Sequence, residues 1–439
     1  MDSVKFVAPS DSIPVIRNVD VAVIGGGPGG LGAAIMSARS GAKTILIERF
    51  GVVGGMAAVG EVTPFMYNHY CGEPMDKPIY MEWRAAMAAY QPESIRNDEG
   101  KQMMLNKDIA ALAAEEMLQK AGVEIIYHHT LVNSVVENRK ISYIILHSKS
   151  GFSAVKAKNF IDATGDADLA MLSKCEFELG DAEGYCQPMT NCFKLSHVKP
   201  PMNEEICKWD SSWRHQLNDI FLKAKADGRL SCPRENLLMF SWFDDDVAHF
   251  NTTRVIKHDP TNGESLSDAE QIAHKQIREL ISVLRSDAPG FENASLQSMA
   301  STIGIRESRR VKGLKYVTRE DFIKRSKFDD AILRCNYPID IHSGKGAGTE
   351  LVYMKGDEYY EIPYGAIIPK DVDNLAIAGR PISVDVAVHS SMRVMPPACS
   401  VGQAAGIAAA MSIKNNCDLP KLDGRAVRAA LVAQGAFLN

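Results

Sequence analysis

The chain has 439 residues, a net charge of −5 and 46% hydrophobic residues, enough for two domains or for one large α/β domain carrying an inserted layer. The charge is spread without blocks and no apolar run reaches membrane-spanning length, so neither nucleic acid nor a membrane is expected as a partner. The cysteines are odd in number, scattered and without a C-x-x-C pair, which argues against a metal centre of structural-zinc type and fits reduced thiols in a cytoplasmic protein.

In chain order, the polar stretch Met1 to Asn18 is broken by Pro9 and Pro14 and is not expected to be a signal peptide. Val21 to Ile24 reads as a strand, followed by Gly25-Gly26-Gly27-Pro28-Gly29-Gly30, an alanine-rich helix, and a second strand ending in Glu48. Gly25, Gly27 and Gly30 fit G-x-G-x-x-G. The three glycines suit a tight turn, a backbone approach to a pyrophosphate, and close packing of helix on strand. The helix N-terminus offers unpaired N–H groups to phosphate, and Glu48 can accept from ribose hydroxyls. The loop Gly54-Gly55-Met56-Ala57 is rich in small residues and suits contact with a flat ligand. Helices are predicted over Tyr80 to Tyr90 and Lys107 to Lys120, and a strand over Val123 to His128. A β-meander follows over Leu131–Val136, Ile141–His147 and Phe152–Lys156, and then a separate buried strand beginning at Asn159.

From Tyr185 to Tyr353 the strand–helix rhythm lapses. Strand-like runs at Thr190–Leu195 and Leu237–Phe243, with amphipathic helices near Trp213–Ala226 and Asp268–Arg285, indicate an inserted domain. The rhythm returns with Asn374 to Ala378, an apolar strand running into Gly379-Arg380. A small-residue helix, Ala398 to Lys414, is suited to close packing against a helix or a cofactor. The expected division is 1–184 and 354–439 for a dinucleotide-binding domain and 185–353 for a substrate domain. The fold class is α/β: a Rossmann-like domain with a central parallel sheet and β-meander, plus an inserted α+β domain.

Taken together, these pieces resemble the FAD-dependent oxidoreductases of the glutathione-reductase-like, two-dinucleotide-binding superfamily. They are similar in particular to a branch related to the heterodisulfide reductase A subunit. The resemblance is carried by the Gly25–Gly30 unit with Glu48, by Gly54–Ala57, and by Ile161-Asp162-Ala163-Thr164-Gly165-Asp166. It continues through Gly304-Ile305-Arg306-Glu307-Ser308-Arg309-Arg310, Tyr337-Pro338-Ile339-Asp340-Ile341-His342, Gly379-Arg380 and Gly402 to Gly406. The iron–sulfur cysteines of the A subunit are absent, and no second G-x-G-x-x-G follows a strand; Gly344 to Gly348 is taken as a loop.

The resemblance implies FAD as cofactor. Its expected contacts are Gly25, Gly27, Pro28, Gly29, Gly30, Glu48, Arg49, Gly54, Gly55, Met56, Ala57, Gly165, Asp166, Gly379 and Arg380, with Ser400, Val401 and Gly402 at the start of the last helix. His342, His389, Tyr364, Arg306, Arg309 and Arg393 are the candidates for substrate chemistry: bases, and guanidinium groups that grip an anion. Arg310 is expected in an ion-pair network with Glu307 and Asp321. Cys71 is weighed as a point of flavin attachment, an ordinary thiol being the commoner case. The expected activity is hydride transfer between a small organic substrate and the flavin, with an unidentified electron donor or acceptor and the oligomeric state open. The alternatives are a reductase of activated C=C or C=O bonds and a flavin-binding protein without turnover.

Overall fold

Five parallel strands and a three-stranded meander share one seven-stranded sheet in the computed structural model, with one long strand belonging to both sets. The structure describes residues 12–62, 64–66, 68–90, 103–104, 106–200, 202–203, 208–209, 211–241 and 246–439. The parallel strands lie in the spatial order Glu124–Ile126, Thr44–Ile47, Val15–Ile24, Gly151–Asp162 and Leu375–Ile377. Gly151–Asp162 is the long one. Its first half pairs antiparallel with Lys140–Ser148, which pairs in turn with Thr130–Glu137. The two strands expected on either side of residue 157 are thus continuous. Exposed Lys156 and Lys158 alternate with buried Val155, Ala157 and Asn159, so the period of two carries through residue 157.

The Pro28–Arg39 helix packs under this sheet against the Met395–Lys414 helix. A Cβ built on Gly402 would lie 1.9 Å from the Gly29 carbonyl oxygen, and one on Gly406 would lie 2.2 Å from that of Ala33. The small-residue pattern of the last helix therefore serves backbone-to-backbone contact between the two ends of the chain. No single helix among the described residues is long and apolar enough to cross a membrane. The jointly apolar pair Val386–Met392 and Met395–Lys414 is bent by 96° and buried along most of its length.

A second core lies in the middle of the chain. Met239–Ser241, Ala248–Phe250, Phe193–Ser196 and Ser295–Met299 form an antiparallel sheet in that order, packed with the Ser211–Ala226 and Gly263–Asp287 helices. The Phe193 and Phe250 rings stack at 4.7 Å, and Trp213 stacks on Phe291 at 5.7 Å. Each such ring contributes about 1.5–3 kcal/mol by burial, which lets this region hold its own shape. Trp242 and Phe243, the end of one predicted strand, lie outside the described residues, as does Cys207. The other eight cysteines are free thiols.

Packing divides the chain differently from the expected 185–353 insertion. The second core runs from Phe193 to Ala294. Val311, Val317, Phe322, Leu333 and Ile339 belong instead to the main core, because their segments pair with strands on both sides. Arg309–Val311 pairs with Phe177–Leu179, and Ala331–Cys335 with Tyr360–Pro363. The glycine loop 343–348 closes the hairpin of Ile339–His342 and Thr349–Val352.

Candidate functional site

The carboxyl ends of the parallel strands open onto a long groove, as expected for ligands of α/β sheets. Its floor is Gly25 to Gly29. One wall is Glu48, Arg49, Gly55 and Met56, and the other is Gly165, Gly379 and Arg380. The glycines differ in what they are for. Gly25 has a φ of +103°, and a Cβ there would lie 2.2 Å from the Ala163 carbonyl oxygen; a Cβ on Gly30 would lie 1.9 Å from the Gly25 carbonyl oxygen. The fold itself forbids side chains at both. A Cβ on Gly27 meets nothing nearer than 3.7 Å, so the empty space above it belongs to a ligand. No side chain caps the Pro28–Arg39 helix, and Pro28 brings no N–H. The remaining first-turn N–H groups face that space with the positive end of the helix dipole. This arrangement fits a dinucleotide pyrophosphate.

Glu48 is buried and already engaged. Its carboxylate accepts from Gly26 N at 2.7 Å and Phe50 N at 2.8 Å. Burial raises its pKa against the pull of these two bonds. It therefore ties the glycine turn to the second strand as well as lining the groove. Several expected contacts act from behind the wall. Gly54 N donates to Gly26 O at 2.7 Å, Ala57 is fully buried, and Asp166 accepts from Arg380 at 2.6 Å. His129, Thr130, Leu131 and Asp168 also line the groove and were missed. The first three lie just past the Glu124–Ile126 strand, where the chain turns into the meander strand Thr130–Glu137, and that position was the available signal.

The end of the groove proposed for the last helix is corrected by one turn. The helix begins at Met395, with Val394 as N-cap and Pro396 and Pro397 in its first turn. Arg393, Met395 and Ala398 reach the groove. Ser400, Val401 and Gly402 do not: Ser400 donates to the buried carboxyl of Asp76 at 2.9 Å, Val401 is core, and Gly402 packs on Gly29. The two prolines supply no N–H, so only Val394 and Met395 offer donors at this terminus.

A second cavity adjoins the groove and shares Met56, Arg380, Arg393 and Met395 with it. It encloses about 1280 Å³ including its mouth, between the main domain and the second core. Val62, Met66, Leu238, Phe240 and Ile305 give it an apolar side, and Arg234, Arg306, Tyr337, Asp340 and His342 a polar one. Asp340 and His342 are two apart on one strand and so share a face. His342 Nε2 lies 3.4 Å from Asp340 Oδ1, and Nδ1 lies 2.9 Å from Thr349 Oγ1. Burial, only partly offset by Asp340 and reinforced by Arg306 and Arg393, lowers His342 to about 4. Burial would raise Asp340, but His342, Arg393 and Arg306 outweigh it and hold the carboxyl at about 2. At neutral pH the pair is thus a carboxylate beside a neutral imidazole.

The other sequence candidates separate clearly. Arg393 bridges groove and chamber, with Nη2 at 3.2 Å from Asp340 O and 3.4 Å from its carboxylate. Arg306 lines the chamber; Arg309 does not, because its guanidinium binds Asp166 O at 2.8 Å and Asp168 at 2.9 Å. Tyr364 is buried and donates to Leu419 O at 3.0 Å, away from both cavities. His389 is fully buried with neither ring nitrogen hydrogen-bonded among the described residues. Burial and the nearby Arg310, Arg393 and Arg380 push its pKa well below the ordinary value, and it reaches neither cavity. Arg310 pairs with Glu307 as expected, at 2.5 Å. Asp321 instead closes a capping box with Thr318. Cys71 sits exposed in a turn whose N–H bonds Gly356 O, outside both cavity walls. Arg234 and Asp340 were not singled out from sequence: Asp340 shares His342's strand face, but nothing local marks Arg234.

The sequence matches the FAD dependent oxidoreductase family over residues 20–431. It is 29% identical over 163 residues to a digeranylgeranylglycerophospholipid reductase of Thermoplasma acidophilum, covering 34% of this chain and 40% of the reductase. It is 29% identical over 127 residues to a limonene dehydrogenase chain of Castellaniella defragrans, covering 29% of this chain and 21% of that one. The matches therefore span well under two thirds of these relatives. Among solved structures, a geranylgeranyl bacteriochlorophyll reductase-like protein of T. acidophilum aligns with a TM-score of 0.48 and 13% identity, over 96% of this chain and 84% of that one. The p-nitrophenol 4-monooxygenase PnpA of Pseudomonas putida aligns with a TM-score of 0.45 and 13% identity, over 96% and 87%. With a family match from the first strand to the last helix, and a groove shaped for a dinucleotide, the chain belongs to the FAD-dependent oxidoreductases and is an FAD enzyme.

Proposed function

We propose that the chain removes a hydride from a small organic substrate lodged in the chamber and passes it to FAD in the groove. The observation that carries this is the common wall: Met56, Arg380, Arg393 and Met395 face both cavities, so a molecule in the chamber abuts the cofactor site. When bound, FAD supplies the two-electron acceptor, and an external electron acceptor regenerates it. The Asp340–His342 pair takes the proton released from the substrate. The imidazole is unprotonated at neutral pH and the carboxylate beside it stabilises the imidazolium that forms. Arg393 holds Asp340 in place from the groove side. The chain's motifs support placement near the heterodisulfide reductase A branch of the glutathione-reductase-like superfamily, without that branch's iron–sulfur clusters.

The test is anaerobic mixing of FAD-loaded protein with pools of alcohols, amines and saturated acyl compounds, following loss of the yellow flavin band. At least one pool is expected to bleach it. His342→Asn, folded and yellow, should bleach about 100-fold or more slowly. With the active compound, kcat/KM should rise with pH through about 4 rather than the ordinary histidine range. Absence of bleaching with every pool, or equal rates in the variant, would remove this reading.

A further inference from the structure

Among the described residues, two arginines on the chamber wall have no carboxylate within ion-pair distance. Five other enclosed arginines have carboxylate partners: Arg254 with Glu235, Arg309 with Asp168, Arg310 with Glu307, Arg334 with Glu361 and Arg380 with Asp166. Arg234 and Arg306 depart from this habit, and both line the chamber. Arg306 donates to Pro188 O at 2.7 Å, Thr190 Oγ1 at 2.5 Å and Asn251 Oδ1 at 3.4 Å, all neutral acceptors. Arg234 is only 6% exposed. Its Nε donates to Asn236 Oδ1 at 3.1 Å, and its two Nη groups have no hydrogen-bond partner among the described residues. Neither guanidinium has a carboxylate within ion-pair distance among those residues.

The two cations also press on each other. Burial, then Arg393 and Arg234, lower Arg306 to about 9; burial likewise lowers Arg234. An enclosed cation without a counter-charge is strongly unfavourable. A pair of them on the wall of a cavity rather than in packed core leaves a place where an anion would be favoured. Asp340 favours both cations at longer range, but its ion-pair contacts go to His342 and Arg393. The chamber is also lined by the apolar side chains of Met66, Leu238, Phe240 and Ile305.

We propose that the substrate is an organic acid whose carboxylate is bound by Arg234 and Arg306 and whose apolar body lies along Met66, Leu238, Phe240 and Ile305. A planar carboxylate matches the guanidinium fork, and the apolar side rewards a hydrocarbon chain or ring over a small polar acid. The assignment rests on taking the chamber as the substrate site. It is tested by binding alone, so its failure and that of the hydride chemistry are told apart.

Isothermal titration calorimetry of the FAD-loaded protein at low salt would compare hexanoate, octanoate and phenylacetate with their amides, and with octyl phosphate. The acids should bind about tenfold or more tighter than the amides. Arg234→Gln and Arg306→Gln, each retaining FAD, should lose about tenfold for the acids and little for the amides. Equal binding of acid and amide, or no binding by any acid, overturns the proposal, and this comparison needs no variant. Unchanged acid affinity in both variants overturns it too. Tighter, arginine-dependent binding of octyl phosphate would overturn the carboxylate assignment in favour of a phosphate ester.

Discussion

Asp76 shows how a single buried carboxyl reorganises expectations about its neighbours. It is 1% exposed and accepts from Ser400 at 2.9 Å and Asn68 at 3.4 Å. Burial dominates these two bonds and raises it to about 8. Ser400, expected beside the flavin, is thereby committed to a core acid. Because the folded-state pKa lies above the unfolded value, the protonated carboxyl favours the fold at low pH. That contribution is full below about 4 and is lost as pH rises through about 8. Asp76→Asn, which cannot ionise, should therefore gain on the parent as pH rises. Between pH 5 and pH 7 the relative gain should be about 2–3 kcal/mol, measured by urea denaturation of both proteins at the two values. A constant difference across that range would show that Asp76 titrates normally. At this scale the sequence was legible where a residue sat inside a motif, as His342 did. It was not legible for Arg234 or Asp76, whose roles come from neighbours far away in the chain.

The glycine elements divide by what a methyl group would strike. Gly30 and Gly402 face protein backbone at 1.9 Å, whereas Gly27 has 3.7 Å of clearance and faces the groove. Gly27→Ala should fold, with a near-parental circular dichroism spectrum and melting temperature as apoprotein, and bind FAD about tenfold or more weakly. Gly30→Ala and Gly402→Ala should instead lose the fold, seen as aggregation or a lowered melting temperature with or without FAD. Similar behaviour of all three would mean that Gly27 has a structural role only. The G-x-G-x-x-G pattern marked these positions but does not separate ligand from packing, since a one-residue code carries no clearance. The start of the last helix was placed a turn late because its prolines read as a preceding loop. Pro is in fact well suited to a first helical turn.

The two ends of the chain meet under the cofactor groove, through Gly29 against Gly379 and the crossing of the first and last long helices. FAD binding should therefore stabilise the main domain as a unit. At a free concentration near 100 times its Kd it adds about 2.7 kcal/mol. Differential scanning calorimetry of apo- and FAD-loaded protein should show the main transition displaced upward. A transition unmoved by saturating FAD would contradict a groove built from both ends. The second core, Phe193 to Ala294, supplies the far wall of the chamber through Arg234, Leu238, Phe240 and Asn251.

The sequence by itself determined the Rossmann-like, dinucleotide-binding unit, because glycine spacing, strand hydrophobicity and an acid at a strand end are local and mutually phased; FAD in particular came from the resemblance of its motifs to a known family and from the family match. It also supplied His342 and Arg306 through motifs. Only the tertiary structure decided which candidates meet. It brought Asp340, His342, Arg393, Arg306 and Arg234 around one chamber from separate segments, and turned Arg309, Tyr364 and His389 away into packed protein. The physical reason is that ion pairing and burial are set by distance in space, and a guanidinium left without a carboxylate is visible only once every neighbour is in place.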